Sequence, residues 1–175
     1  MASGTILPEV LNHFNIYNRG TKLIGVSGEV ELPDFEAITD TIEGSGVLGE
    51  LEDPVTGQFS SMQITIPFAV LYDSMFSITN TTNPPELTLR GSMQCMDPTT
   101  GITDYYPVKV VVRGKAKTTK LGKVVKGKKM EAEVELEIHY ISVSINNKNV
   151  VTLDKLNFKY IVNGVDLMAK IRSQC

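Results

Sequence analysis

The chain has 175 residues, 42% hydrophobic and 21% charged, which fits one domain (1–175) around a single core and excludes wholesale disorder. Its formal charge of -3 conceals an uneven distribution. Eight basic residues and no acid stand between Arg113 and Lys129, leaving nine basic against 20 acidic residues elsewhere, so most of the surface should repel polyanions.

The opening Met1–Glu9 has neither a basic leader nor a long apolar run, and no stretch approaches the roughly 20 apolar residues that span a bilayer. The expectation is a protein made in the cytosol without a membrane anchor. Cys95 and Cys175 form no metal or redox motif and are expected to be free thiols. His13–Tyr17 and Lys22–Leu32 flank a turn at Asn18-Arg19-Gly20, and Val26, Val30 and Leu32 alternate with Glu29 and Glu31 as in a half-buried strand. Residues 35–42 extend as a further strand. The glycines at 44, 46, 49 and 57, with Asp53-Pro54, predict a long loop or loose hairpin over 44–57.

Residues 61–66 resume the alternation through Met62, Ile64 and Ile66. Pro67 suits the first position of a helix, and Phe68, Leu71, Tyr72, Met75 and Phe76 follow at helical spacing. Beyond Asn80–Pro85 the chain is β-rich, with strands over 87–96, 105–117, 131–145 and 150–162, then a short helix over 166–172. The strands of thirteen to fifteen residues reach about 43–50 Å at ~3.3 Å per residue, far beyond a usual strand, and their edges invite pairing with another chain. Paired through the basic turn, Arg113 and Lys115 on one strand would face Glu131, Glu133 and Glu135 on the next, a ladder that fixes register. After Tyr140 the apolar phase flips to Ile141, Val143 and Ile145, which predicts a bulge.

Catalytic and cofactor chemistry finds no foothold. Gly44–Gly49 spells GxGxxG, but Glu50-Leu51-Glu52-Asp53-Pro54 follows it where a phosphate would need a helix N-terminus. His13 and His139 lie outside any cluster of metal-ligand spacing, and no nucleophile–base pair can be named. No cofactor, metal or enzymatic activity is expected. Lys117, Lys120, Lys123, Lys126, Lys128 and Lys129 lack interleaved aromatic rings, so the turn that carries them reads as solvated or as a subunit contact. The alternative is a non-enzymatic binding module whose basic 113–129 hairpin grips nucleic acid or an acidic protein.

Residues 11–20 (LNHFNIYNRG), then Leu23-Ile24-Gly25-Val26 and Val30-Glu31-Leu32-Pro33, resemble the N-terminal signature of the major tail tube proteins of contractile-tailed bacteriophages. Residues 155–168 (KLNFKYIVNGVDLM) are similar to that family's C-terminal strand and helix, and the glycines of 44–49 fall where it carries a glycine-rich segment. The tubes of R-type bacteriocins belong to the same group. The resemblance implies a mainly β fold: two antiparallel sheets in a β-sandwich or half-barrel, one flanking α-helix and a short C-terminal helix. It implies hexameric rings stacked into a hollow tube that conducts DNA or pierces a target envelope. The implied partners are sheath, baseplate or tail-tip and tape-measure proteins, with no sequence-specific nucleic-acid binding. Assembly would take place in the host cytoplasm and the product would sit in the virion tail or a phage-tail-like particle. Contacts between rings would come from the arm 1–9, through Leu7 and Glu9, and from the loop 44–57, through Gly44, Gly46, Gly49, Glu50, Asp53 and Gly57.

Overall fold

A computed structural model describes residues 6–175. Five of its strands belong to a continuous antiparallel run: β1 (Leu7–Asn18), β6 (Glu86–Met96), β7 (Thr103–Lys120), β8 (Ala132–Ile145) and β9 (Lys148–Asp154). The short β2 (Thr21–Lys22) lies beside β1, while β10 (Lys159–Val162) and β11 (Val165–Asp166) follow β9, giving the order β11-β10-β9-β8-β7-β6-β1-β2. A ninth strand, β5 (Gln63–Phe68), pairs with β8 off this path. A separate two-stranded sheet joins β3 (Ala37–Ile42) to β4 (Leu51–Phe59). The helices are short, α1 (Asp73–Phe76) and α2 (Ala169–Gln174). The fold is thus mainly β and antiparallel, and among the described residues no sheet closes into a barrel.

Strand β8 organises the molecule. Its first half, Ala132–Glu137, pairs with β5, and its second, Tyr140–Ile145, pairs with β9. Between them the register with β7 jumps from Gly114↔Ile138 to Arg113↔Tyr140, so His139 is the extra residue of a bulge. A side-chain period of two means that one added residue swaps the faces, and that swap is the phase flip written in the sequence. Gly114 sits at the crowded point, where a Cβ would overlap the Glu137 carbonyl.

The core lies under β5 and the first half of β8. Ile64, Ile66, Phe68, Met75, Ile78, Leu87 and Val134 are fully buried, and Val110, Val112, Leu136, Ile138 and Ile141 continue the same apolar layer. The opposite face of the large sheet is polar, with rows such as Asn15–Arg90–Lys109–Ser144–Asn149.

Four expected elements differ. Pro67 does not start a helix; it lies within β5, one residue before its end and opposite Glu133, and its carbonyl accepts from Ser27 N–H at 2.9 Å. Its ring nitrogen therefore faces away from the β8 ladder, the side on which a proline is tolerated in a sheet. The helical stripe shrinks to the single turn of α1 with buried Met75, so the flanking helix is only four residues long. The strand expected over 22–32 is mostly irregular chain, tied to β5 by isolated bridges Val26↔Phe68 and Glu31↔Thr65. The strand expected over 150–162 is broken in two. Asp154 Oδ1 accepts from the N–H groups of Leu156 and Asn157, and Phe158 takes a positive φ of 50°. Finally, of the long loop or loose hairpin expected over 44–57, the hairpin is what forms: residues 51–57 lie in β4, and 43–50 make the turn.

Candidate functional site: assembly surfaces

Among the described residues no group of three His, Cys, Asp or Glu side chains is placed to hold a metal ion, and no helix is long and apolar enough to cross a membrane. The glycines of Gly44–Gly49 form the tip of the β3–β4 hairpin, with φ of +131°, +102° and +102° at Gly44, Gly46 and Gly49. No helix opens after them, since β4 begins at Leu51. The features that can do work are surfaces and edges.

In the large sheet two long stretches of strand stand open on one flank among the described residues. Strand β7 pairs with β6 only from Thr103 to Arg113, whereas its pairing with β8 continues to Lys120. Residues Gly114–Lys120 therefore lack a backbone partner on their second flank. Strand β1 pairs with β6 along Leu7–Asn18 but meets β2 only at Tyr17 and Asn18. Its stretch through Leu7, Glu9, Val10 and Leu11 is solvent-exposed. At 18 residues, β7 measures about 60 Å at ~3.3 Å per residue, three times a common strand.

The charged residues of the sheet pair in a shifted pattern. Arg113 does not face Glu131 or Glu133: its Nε donates to Glu86 at 2.7 Å, and its guanidinium lies 4.3 Å from the ring centre of Tyr140. Lys115 stands in register with Glu137, not Glu135. Lys117 lies 3.6 Å from Glu135, and Lys120 bonds to Glu133. A second irregularity between Ala116 and Thr118 puts one extra residue into β7, so that Lys115 stands opposite Glu137 on one side of it and Lys120 opposite Glu133 on the other. Glu131 lies just outside β8 with φ of +57° and joins no ladder. The Glu133 carboxylate beside Lys120 raises the lysine pKa above its ordinary 10.5. All of these pairs are partly exposed, so water and salt screen them and each contributes little to stability. They specify register and leave stability to the core.

Two projections leave the body. The β3–β4 hairpin is exposed at every residue from 38 to 56, which includes the predicted Gly44, Gly46, Gly49, Glu50 and Asp53. Gly57 marks its root: φ is +77°, and a Cβ would overlap the Met168 sulfur, so the hairpin is seated against the chain entering α2. Phe59 closes the root between Phe35 and Tyr160, at ring separations of 5.7 and 5.0 Å. The second projection is the loop between β7 and β8. Residues 121–129 are all exposed, and they present Lys123, Lys126, Lys128 and Lys129 beside Leu121, Val124 and Val125. Met1–Thr5 of the predicted arm lie outside the described residues.

Sequence reasoning missed two apolar features. One is a cleft of about 110 Å³ lined by Leu11, Phe14, Val30, Leu32, Leu89 and Val108. It arises because the chain of 30–32 crosses the β1–β6–β7 face without joining it, which no alternation pattern announces. The other is the hairpin face of Ile42, Leu51 and Val55, all exposed. Its signal was the pair of runs Ile38-Thr39-Asp40-Thr41-Ile42 and Leu51-Glu52-Asp53-Pro54-Val55, in which apolar residues flank an aspartate at alternate positions.

A family model described as phage tail tube protein FII matches residues 8–175. The tail tube protein of Escherichia phage P2 is 27% identical over 172 residues, which cover 95% of this chain and 96% of that protein. Among solved structures, the cryo-EM structure of an extracellular contractile injection system, with its PVC sheath/tube terminator in the extended state, contains a chain of similar fold. The TM-score is 0.53 at 13% identity, over 78% of this chain and 96% of that chain.

Proposed function

The chain belongs to the phage tail tube family and is a structural subunit of a contractile tail's inner tube, and from that premise we propose that six copies join through their free sheet edges into a ring, and that rings stack into a hollow conduit. The observation that carries this reading is the pair of open flanks, Gly114–Lys120 of β7 and the outer side of β1. Unpaired strand groups are templates for another chain, and a closed ring of sheets removes them. A strand of about 60 Å, out of scale for one small domain, becomes the height of a wall.

The polar face of the large sheet is the surface we assign to the channel. Three of its cations are paired, Arg113 with Glu86, Lys117 with Glu135 and Lys120 with Glu133, and Lys115 stands in register with Glu137. Arg90 and Lys109 stand on the same face without a carboxylate in their row. A lining of this kind carries charges of both signs. DNA would meet few unmatched cations there, so few counterions would be released and the duplex could slide.

Contacts between rings are assigned to Leu7 and Glu9 on β1 and to the hairpin residues Gly44, Gly46, Gly49, Glu50, Asp53 and Gly57. Sheath, tail-tip and tape-measure proteins are the partners such a conduit requires. The subunit performs no turnover, is assembled in the host cytoplasm and ends in the virion tail as one domain spanning 1–175. The rival reading of a nucleic-acid-binding module gains no support, since residues 121–130 carry no aromatic ring on which a base could stack.

Negative-stain microscopy of the purified protein tests the proposal. Rings or tubes are the expected result. A monomer that persists at millimolar concentration, with its edges in solvent, overturns it.

A further inference from the structure

Charge is segregated along this chain more sharply than its net value suggests. From Leu23 to Leu89 there are 11 acids and no lysine or arginine, and from Tyr105 to Met130 there are nine bases and no acid. Each block supplies one projection. The β3–β4 hairpin carries Asp40, Glu43, Glu50, Glu52 and Asp53, and the β7–β8 loop carries Lys123, Lys126, Lys128 and Lys129. Among the described residues none of these nine side chains joins a salt bridge.

The hairpin also holds an unfavourable pair. Asp40 and Asp53 are direct cross-strand partners, and Ile42 and Leu51 are the next pair on the same face. Like charges opposed across two strands destabilise them, and exposed apolar side chains beside them gain nothing from water. The loop offers what that face lacks: ammonium groups interspersed with Leu121, Val124 and Val125, of which Val124 is 90% exposed.

Within one molecule the two surfaces form no salt bridge with one another among the described residues, and they are anchored apart. The hairpin root is held at the start of β5, where Ser60 N–H donates to the Glu36 carbonyl, and the loop returns at its end, where Met130 N–H donates to the Ala69 carbonyl. Strand β5 puts about 20 Å between these anchor points. Complementary patches at two different places on a subunit make a head-to-tail contact, which repeats from copy to copy.

We propose that the acidic, apolar face of the β3–β4 hairpin docks onto the basic, valine-bearing β7–β8 loop of a sister copy. The contact rests on the tube reading above and names the surface that receives the hairpin. Lysines of one subunit neutralise the Asp40–Asp53 pair of the next, and the aliphatic residues of both cover one another. The attraction is between exposed charges, so added salt weakens it.

A charge-swap pair tests the contact. One variant carries Asp40→Lys with Asp53→Lys, the other Lys123→Glu with Lys126→Glu, and far-UV circular dichroism checks that both keep the β spectrum. Each alone should need at least tenfold more protein than wild type to assemble. An equimolar mixture should assemble again, because each altered surface then finds its opposite. If either variant assembles alone as wild type does, or if the mixture stays dispersed while wild type forms tubes, the docking is wrong and the tube reading survives. If wild type itself never assembles, the tube reading falls first. A second measurement uses the unaltered protein, so a folding defect in the variants cannot hide the answer. Carbodiimide treatment of tubes grown from mixed light and heavy-isotope subunits should give light–heavy cross-links between 120–130 and 37–59, and their absence overturns the contact.

Discussion

The β5–β8 region and the β3–β4 hairpin are both short antiparallel pairings, yet they have opposite characters. In the first, Ile64, Ile66, Phe68 and Val134 are fully buried, and the acids of β8 have lysines within reach. In the second, every residue from 38 to 56 is exposed and two aspartates oppose each other. A two-stranded ribbon is at best marginal by itself. The contrast teaches that stability and assembly are housed in separate parts. The first region holds the subunit together, and the second is left unsatisfied by its own chain.

The largest effect should follow from emptying the stable region. Phe68→Ala should cost about 3–5 kcal/mol, read as a fall in the urea midpoint, because a fully buried ring leaves a cavity under β8. A change under about 1 kcal/mol would mean that the core lies elsewhere. Gly57→Ala strikes the joint between the two regions: the added Cβ meets Met168 in a backbone conformation that favours glycine. A loss of about 1–3 kcal/mol is expected, with faster amide exchange in β4 than in β8. Equal acceleration in both would show that the hairpin is not a separate unit. Arg113→Ala removes an exposed pair with Glu86 and the stacking on Tyr140, and should cost about 1 kcal/mol by the same midpoint.

Replacing residues 44–49 by a two-residue turn sharpens the contrast further. The urea midpoint should hold within about 0.5 kcal/mol, as for other changes at exposed surface, while tube formation measured by light scattering is lost. Normal tubes would remove the hairpin from assembly. The smallest effect concerns α2. Arg172, which donates to Asp166 at 2.8 Å, holds that carboxyl below its usual 3.8. The folded pKa is thus depressed, so the stabilisation is complete above the ordinary carboxylate range and fades as pH falls through the lowered value. Amide exchange in Ala169–Gln174 should rise only below about pH 3.8, and Asp166→Asn should abolish that pH dependence.

Much of the stable region could be read from residue order. The alternation through 87–96, 105–117 and 131–145 marks β6, β7 and β8, and the phase change after Tyr140 marks the bulge at His139. Pro67 misled because a proline that opens a helix and one whose nitrogen faces off a strand edge look alike in sequence; only the Ser27 contact separates them. The break between β9 and β10 was masked by apolar Leu156 and Phe158, although Asp154 and Asn157 bracket it with turn chemistry. Opposed acids and bases could be foreseen between β7 and β8. Their actual partners could not, because the extra residues at Lys117 and His139 set a different register on either side of each irregularity. The hairpin was half legible: its glycines announced the tip, but the pairing of Asp40 with Asp53 depends on a register that glycine-rich sequence leaves open.

A cryo-EM map of the assembled wild-type protein reads the central claim directly. Main-chain hydrogen bonds should run from β7 residues Gly114–Lys120, or from the outer side of β1, into the sheet of the adjacent subunit. A particle in which both flanks face solvent, with subunits touching through side chains alone, would contradict it.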